Sequence, residues 1–254
     1  MLIDTHSHIY STDFIHDRDE IIQRAYSNDV RKIILPNIDS SSVKNLLDMV
    51  DNYPHICIPL MGLHPTSVNH DYQEELQVVE YWLKKRKFYG IGEIGIDLYW
   101  ETSFLEEQTH AFRFQLNLAR EYQLPVVIHV RDSFEQVYNV LLEEKDKNLT
   151  GVFHSFSGTI EQAQLVIDLG FKIGVNGIIT FKKSGLDEII SKIDPSNLLL
   201  ETDSPYLTPV PFRGKRNESS YLVHIAQKIA DLHQLTVGEI AKITTENARK
   251  LFGI

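Results

Sequence analysis

Two histidines separated by one residue follow the first hydrophobic run of the chain. His6 and His8 come directly after Leu2-Ile3-Asp4, a stretch typical of a short β-strand. Side chains two positions apart on a strand point to the same side, so the two imidazoles project together. Neighbouring imidazoles pack poorly unless they hold a cation between them, and neutral imidazole is a common metal ligand. The pair therefore predicts a divalent metal site, and the alternative is a strand end with two surface histidines.

More histidines and carboxylates follow other hydrophobic runs of the same kind. Single polar residues of metal-binding type stand at or just beyond the ends of such runs at His64, Glu93, His129, His154, Glu201 and Asp203. Charged groups seldom border buried runs without partners. We therefore interpret these residues as one site, in preference to unrelated polar residues at strand ends.

The predicted metal ligands are too many for a single ion. They are His6, His8, Glu93, His129, His154 and Asp203. One tetrahedral ion with an open position uses fewer, so the set suits two divalent ions bridged by a carboxylate. Glu93 is the predicted bridge, because Gly92 and Gly95 leave room for close approach. Mixed imidazole and carboxylate ligands accept zinc, manganese or magnesium, so the identity of the metal stays open.

A barrel of parallel strands would bring these residues together. The predicted strands are Leu2–Asp4, Lys32–Leu35, Ile56–Met61, Tyr89–Gly92, Val126–Ile128, Gly151–Phe153, Phe171–Val175 and Leu198–Glu201. Amphipathic helical patterns lie between them, which favours an α/β fold, a TIM (β/α)8 barrel with an extra C-terminal helix, formed by residues 1–254 as a single domain. In that fold the C-terminal ends of the strands meet at one mouth, where active sites lie. A doubly wound open sheet is the competing fold, but no Gly-x-Gly-x-x-Gly follows the first strand to support it.

Two helix starts are predicted from capping boxes, in which Ser or Thr is followed three residues later by Glu. Ser103 and Glu106 precede one apolar stripe, and Thr236 and Glu239 open the last predicted helix.

Composition limits the possible partners and locations. The formal net charge of −10 excludes general electrostatic attraction to nucleic acid or to an anionic membrane, so an anionic substrate must be held locally. The single cysteine, Cys57, excludes an internal disulfide and a cysteine-based zinc site, and its apolar neighbours predict burial. No signal peptide or membrane-spanning segment is recognisable. We expect a cytoplasmic protein with no membrane association and no evident obligate protein partner.

Six segments together resemble the TatD family of metal-dependent deoxyribonucleases, within the amidohydrolase-like superfamily. They are Asp4-Thr5-His6-Ser7-His8, Gly62-Leu63-His64-Pro65, Gly92-Glu93-Ile94-Gly95-Ile96-Asp97, Ile128-His129-x-Arg131-Asp132, His154-Ser155-Phe156-Ser157-Gly158 and Glu201-Thr202-Asp203-Ser204-Pro205-Tyr206. The resemblance implies a distorted TIM barrel, two divalent ions, and 3′-to-5′ exonuclease activity on DNA. The acidic net charge argues against tight binding of a long duplex and favours single-stranded 3′ ends as the substrate. The chain departs from the family at Ser219, where proline is common. Because proline favours the first helical turn, we expect its loss to loosen this loop.

The resemblance also implies how the ligands are shared. It implies His6, His8, Glu93 and Asp203 on one ion, and Glu93, His129 and His154 on the other. Among the predicted catalytic residues, Asp203 is placed to take or pass the proton of an attacking water. Glu201 lies two residues earlier and is predicted to orient ligands, or alternatively to be a buried acid paired with another barrel residue. Asp4 stands in the same relation to His6 and has the same two interpretations.

The predicted substrate-binding residues are His64, Arg131, Arg213 and Tyr206. Arginine matches phosphate oxygens with two parallel hydrogen bonds, and a tyrosine ring can stack on a base. Arg213 belongs to loop 212–216, which has the densest positive charge of the chain. The alternatives are an Arg131–Asp132 ion pair and a solvated surface loop.

Three functions remain open at this stage. The first is the nuclease, and the second is an amide or ester hydrolase of the same superfamily, such as an amidase, a lactonase or a D-aminoacyl-tRNA deacylase. The same ligands serve both, because two ions can activate water for attack on phosphorus or on carbon. The third, a non-catalytic metal-binding protein, is disfavoured by the number of predicted ligands.

Overall fold

Strands and helices alternate along the whole chain. The computed structural model describes residues 1–144 and 148–254. In these residues the strands are β1 (Leu2–Asp4), β2 (Val30–Leu35), β3 (Cys57–Pro59), β4 (Ile91–Asp97), β5 (Val126–Arg131), β6 (Gly151–Phe153), β7 (Lys172–Val175) and β8 (Leu198–Leu200). The helices are α1 (Arg18–Ser27), α2 (Ser40–Asn52), α3 (Tyr72–Lys85), α4 (Leu105–Tyr122), α5 (Phe134–Glu144), α6 (Ile160–Asp168), α7 (Leu186–Ile190), α8 (Leu222–His233) and α9 (Val237–Phe252). No helix in the described ranges is both long enough and apolar enough to cross a membrane.

The strands pair in parallel, in two sheets that hydrogen bonds join at both edges. The orders are β1-β2-β3 and β4-β5-β6-β7-β8. Between β3 and β4, Met61 forms an isolated parallel bridge with Ile91. Between β8 and β1, Ser7 forms a bridge with Ser204, and the Thr5 N–H donates to the Leu200 carbonyl at 2.9 Å. The regular ladder is interrupted at these two places, and the predicted fold, a distorted TIM barrel, is confirmed.

The predicted extra C-terminal helix packs against the N-terminal ends of the strands. A buried apolar cluster collects side chains from most strands, namely Ile3, Ile34, Ile58, Leu60, Val127, Val152 and Leu199. Ala248 and Phe252 of α9 belong to the same cluster. The Asn247 amide donates to the carbonyls of Pro195 and Leu198, which lie just before and at the start of β8. Helix α9 therefore covers the end of the barrel that lies away from the predicted metal ligands.

Strand β4 differs from its prediction in a way that matters for the site. The predicted strand ended at Gly92, but β4 continues to Asp97, so Glu93 lies within the strand and not beyond it. Ile91 pairs with Val126, whereas Ile94 pairs with Ile128, so β4 has one extra residue here. Such a bulge re-aims a side chain. The polar Glu93 and its glycines interrupt the apolar run, and this is why the sequence pattern ended the strand too early.

Gly95 explains how β4 and β5 approach so closely. Its φ is +140°, and a Cβ atom there would lie 2.1 Å from the His129 carbonyl oxygen. Only glycine fits such a position. The sequence predicted that the glycines near Glu93 leave room for close approach, and at Gly95 this room is occupied by the backbone of His129.

One capping box is confirmed and the other was wrong. The Thr236 hydroxyl accepts the Glu239 N–H at 3.2 Å, and the Glu239 carboxylate accepts the Thr236 N–H at 2.8 Å, at the start of α9. Helix α4 instead begins at Leu105 without a side-chain cap. The Ser103 N–H donates to the Glu101 carboxylate at 2.8 Å, so this segment forms a local turn before the helix.

Candidate metal centre

Glu93 lies at the centre of the site, and its two oxygens face different groups of imidazoles. Oε2 is 3.2 Å from His6 Nε2 and 3.7 Å from His8 Nε2. Oε1 is 2.8 Å from His129 Nδ1 and 3.2 Å from His154 Nε2. Among the described residues, Glu93 belongs to two of the three groups of side chains that could hold a metal ion.

The first group combines two imidazoles with a second carboxylate. His6 Nε2 and His8 Nε2 are 3.1 Å apart. Asp203 Oδ1 lies 3.8 Å from the first and 3.7 Å from the second. The ligand atoms of these three residues all lie within 4.8 Å of one another, close enough to hold one ion.

The second group is less cleanly separated than the family resemblance implied. The His154 ring stacks on His6 with centroids 3.6 Å apart, and these two residues form a possible ion site with Glu93. His129 forms another such set with Glu93 and His64. All six predicted ligands meet at this place, and His154 lies between the two groups.

A buried tyrosine determines which nitrogen of His8 carries hydrogen. Tyr10 Oη donates its only hydrogen to the Pro36 carbonyl at 2.6 Å. It must therefore act as acceptor toward His8 Nδ1, which lies 2.9 Å away. Burial raises the pKa of Tyr10 well above its ordinary value, so the hydroxyl stays protonated. The His8 Nδ1 thus carries hydrogen, and its Nε2 presents a lone pair to the site.

Carboxylates determine which ring nitrogen of His129 and of His154 points away from Glu93 and carries hydrogen. His129 Nε2 lies 2.8 Å from Asp97 Oδ2 and His154 Nδ1 lies 3.2 Å from Glu201 Oε1. Each carboxylate accepts hydrogen from the far side of the ring, which leaves the other nitrogen free to bind a cation beside Glu93. Glu201 is fully buried and also accepts the Ser155 N–H at 2.5 Å, so it stands behind His154 in the predicted orienting position.

Asp4 does not make the corresponding contact with the His6 ring. Its carboxylate accepts the backbone N–H of Thr202 at 2.9 Å and the Thr202 hydroxyl at 2.6 Å. Asp4 thus ties β1 to the segment after β8, which corresponds to the structural alternative of the two interpretations.

His64 has the opposite hydrogen placement. Its Nδ1 accepts the Thr66 backbone N–H at 3.1 Å. Burial lowers the pKa of His64, so the ring is neutral and its hydrogen lies on Nε2, 3.4 Å from Glu93 Oε1. His64 therefore presents a donor to the site, a property that suits a substrate oxygen better than a cation.

The electrostatics of the site fit divalent cations. Burial lowers the pKa of His6 well below its ordinary value and the pKa of His8 to about 4, so both rings are neutral ligands. Burial, together with the neighbouring charge of Glu93, raises the pKa of Asp203 to about 7. Burial would also raise the pKa of Glu93, but His154, His64 and His6 outweigh it and hold that pKa well below its ordinary value. Burial would lower the pKa of His129 and of His154, but the carboxylates beside them outweigh it, so the pKa of His129 is raised and that of His154 lies well above its ordinary value. Glu93 thus attracts positive charge to its Oε1 side, and a divalent cation would supply such charge in place of these protons.

A cavity of about 630 Å³ opens above the cluster. Of the predicted substrate-binding residues, His64, Arg131 and Tyr206 line it. Arg213 does not, because its guanidinium stacks on Phe181 at 3.7 Å from the ring centroid. The role of Arg213 in substrate binding stays a prediction.

Two ion pairs anchor the segment before Ser219, where the sequence predicted a looser loop. Arg216 pairs with Asp17 at 2.5 Å, and Glu218 pairs with Arg24 at 2.6 Å. Ser219 begins a buried 3-10 turn, Ser219–Tyr221. These ion pairs fasten the loop to α1 and the residue before it, so the loop does not depend on a proline for its anchorage.

Sequence reasoning missed Tyr10 and Asp97 as residues that hold the ligands. Tyr10 continues the two-residue alternation of His6 and His8, which was a usable signal. Asp97 had no comparable signal, because its reach to His129 depends on β4 continuing past its predicted end.

A distorted parallel barrel with imidazoles and carboxylates clustered at one mouth defines a metal-dependent hydrolase. The family profile described as "TatD related DNase" matches residues 3–253. The uncharacterized metal-dependent hydrolase YabD of Bacillus subtilis is 38% identical over 100% of both chains. The 3′-5′ ssDNA/RNA exonuclease TatD of Citrobacter rodentium is 32% identical over 100% of this chain and 98% of that protein. The crystal structure of YjjV, a TatD homologue from Escherichia coli K12, superposes with a TM-score of 0.93 at 32% identity, covering 100% of this chain and 98% of that one. The chain belongs to the TatD family of metal-dependent hydrolases.

Proposed function

We propose that the protein is a 3′-to-5′ exonuclease that removes nucleotides from single-stranded DNA ends with the help of two divalent cations. The observation that carries this proposal is the position of Glu93, whose Oε1 and Oε2 face separate groups of imidazoles beneath one cavity. A pair of cations suits the cleavage of a phosphodiester, in which negative charge must be stabilised on both the attacking and the leaving oxygen. The relatives named as TatD exonucleases support the same substrate class.

The residues proposed to hold the cations are His6, His8, Glu93, His129, His154 and Asp203. Divalent cations, when bound there, would polarise a phosphoryl oxygen and lower the pKa of a water molecule. Zinc, magnesium and manganese are all compatible with these ligand types. A cytoplasmic location stays an expectation from the sequence.

The chain itself supplies proton transfer and charge compensation. Asp203 Oδ1 lies beside His6 and His8, where the carboxylate can take the proton of an attacking water. His64 directs an Nε2–H into the cavity, where it can donate to a phosphate oxygen. Arg131 lines the same cavity and adds a positive charge on the substrate side.

The test is a substrate panel with metal-depleted and then reconstituted protein. The panel contains 5′-labelled single-stranded DNA, the same strand in a duplex, a D-aminoacyl-tRNA and a p-nitrophenyl ester. We expect stepwise shortening of the single strand from its 3′ end only with metal added. Cleavage of the ester or the aminoacyl bond without cleavage of DNA would replace the nuclease with the ester hydrolase alternative.

Two variants connect the activity with the site. Glu93→Gln and Asp203→Asn should each lose most of the DNA cleavage, with metal content measured in parallel. Glu74→Gln, an exposed position on α3, is the matched control and should behave as the unmodified protein. Near-normal cleavage by Glu93→Gln would contradict the proposed metal centre.

A further inference from the structure

An arginine and two aromatic rings form a stack beside the metal centre. The Arg131 guanidinium lies 3.7 Å from the centroid of the Tyr99 ring and 5.3 Å from that of Trp100. The two rings meet edge to face, with centroids 5.0 Å apart. We call Tyr99, Trp100 and Arg131 the aromatic platform.

The platform is unusually open to solvent for such apolar groups. Tyr99 is 53% exposed and Trp100 is 68% exposed, although both belong to residue types that are usually at least half buried. Trp100 and Arg131 line the cavity above Glu93, and Tyr206, 59% exposed, lines the same cavity from the segment after β8. Exposed aromatic rings gathered at one cavity are typical of a site that binds a flat ligand.

The charge of Arg131 is available to a ligand. In residues 1–144 and 148–254, no carboxylate forms an ion pair with its guanidinium, and the predicted alternative of an Arg131–Asp132 pair is not formed. Stacking on Tyr99 holds the guanidinium in place without neutralising it. The ring can stack on a nucleic-acid base, and the guanidinium beside it can bind the phosphate that follows this base.

Asp97 fastens this platform to the metal centre. Its Oδ1 accepts the backbone N–H groups of Tyr99 at 3.0 Å and Trp100 at 3.2 Å. Its Oδ2 accepts hydrogen from His129 Nε2 at 2.8 Å. The Leu98 N–H also donates to the Arg131 carbonyl at 2.9 Å, so both halves of the platform are held at the ends of β4 and β5. The distance between the platform and the ligands is thereby set by one carboxylate and one strand pair.

We infer that the aromatic platform binds the unpaired base next to the bond that is cut, with the ring of Trp100 against the base and Arg131 toward the adjoining phosphate. This inference rests on the proposed exonuclease function. It explains how a chain of net charge −10 can bind nucleic acid, because the contacts are confined to one small site. It also explains a preference for single strands, because stacking needs a base that is not paired. Stacking is tolerant of sequence, since every base has a flat face.

The first experiment compares two 3′ ends on the metal-reconstituted protein. Trp100→Ala should raise KM for a strand with a normal 3′ nucleotide by between about 5-fold and 150-fold, the range expected for one stacked base. The same variant should cleave a strand ending in an abasic nucleotide as the unmodified protein does. Trp100→Phe should restore most of the loss. An equal loss on both ends, or no loss on the normal end, would overturn the inference.

A second readout does not need catalysis. The chain has two tryptophans, Trp82 and Trp100, so a Trp82→Phe protein reports on Trp100 alone. Binding of dAMP should quench its fluorescence, and abasic deoxyribose 5-phosphate should not. Quenching without any DNA cleavage would support the platform and refute the exonuclease proposal, whereas cleavage without quenching would refute the platform alone.

The phosphate contact has its own test. Arg131→Met keeps a long side chain but removes the charge, and Arg131→Lys keeps the charge without the flat guanidinium. Loss of one phosphate contact should reduce the slope of log binding constant against log salt concentration by about 0.7 for Arg131→Met. An unchanged slope would remove Arg131 from the inferred subsite.

Discussion

The hydroxyl of Tyr10 lies 2.9 Å from His8 Nδ1 and donates its hydrogen to the Pro36 carbonyl at 2.6 Å. This arrangement selects the His8 tautomer that can bind a metal through Nε2. Tyr10→Phe removes the acceptor and leaves a buried N–H unpaired, so the other tautomer becomes accessible. We expect metal affinity to fall by about 10-fold, as is usual when a hydrogen bond to a ligand is lost. A chelator competition titration measures it, and nitrogen chemical shifts of His8 report the tautomer directly.

Tyr26→Phe, at an exposed position on α1, is the control for this change. Unaltered metal affinity in Tyr10→Phe would show that the tautomer is set by something other than the hydroxyl.

His64 Nε2 and His129 Nδ1 both approach Glu93 Oε1, at 3.4 Å and 2.8 Å, but the two residues should respond differently to substitution. His129 is held through Nε2 by Asp97 and can offer Nδ1 to a cation, whereas His64 presents an N–H, so only His129 is expected to bind metal. His129→Asn should lose metal, whereas His64→Gln should keep its metal affinity and lose about 100-fold in kcat, the size typical of a lost donor to a developing negative charge. Metal content and kcat are measured on the same preparations. Loss of metal from His64→Gln would assign His64 to the ligands.

Ser219 is a position where the chain can be stabilised. Ser219 is buried and is the first residue of a 3-10 turn. Proline fits the first helical turn and reduces the freedom of the unfolded chain. Ser219→Pro should raise the free energy of unfolding by about 0.4–1 kcal/mol. Denaturant titration measures it, with Ser219→Ala to separate the hydroxyl from the ring, and a loss of stability in Ser219→Pro would contradict it.

Phe252 tests whether α9 closes the barrel. It is 4% exposed and belongs to the inner apolar cluster. Phe252→Ala should lower the free energy of unfolding by about 3–5 kcal/mol while metal affinity stays unchanged, because the ligands lie at the other end of the strands. Leu142→Ala, at an exposed position, is the control. A loss smaller than 1 kcal/mol would show that α9 is only loosely docked.

Cys57 gives the protein a stability that depends on pH in the alkaline range. Burial raises the pKa of its thiol from the ordinary 9.0 to about 12. Between these values the unfolded chain loses the thiol proton and the folded chain keeps it, so stability is complete below pH 9.0 and falls as the pH rises toward 12. Unfolding of the unmodified protein and of Cys57→Ala, compared from pH 8 to 11, should show a steeper fall for the former. Parallel curves would contradict the raised pKa.

The residues that could bind metal were evident from residue type and position alone. Parallel strands end at one mouth, so His6, His8, His129, His154 and Asp203 had to meet if the fold was a barrel, and the alternation of apolar runs with helical patterns predicted that fold. The start of α9 at Thr236 was predictable for a similar reason, because a capping box is a local interaction within one turn.

The direction in which each group acts was decided by tertiary structure. The bulge in β4 turns Glu93 so that its oxygens face two groups of imidazoles, and pairing with β5 produces it. The position of the hydrogen on His8 depends on the bond between Tyr10 and the Pro36 carbonyl, and the position of the hydrogen on His129 depends on Asp97. Neither contact can be inferred from the histidines alone. The contact between the Arg213 guanidinium and the Phe181 ring likewise does not follow from the charge of the loop. Local sequence patterns thus identify the residues that could bind a metal ion. Hydrogen-bond partners that are distant in the chain determine which atom of each of these side chains faces the ion site.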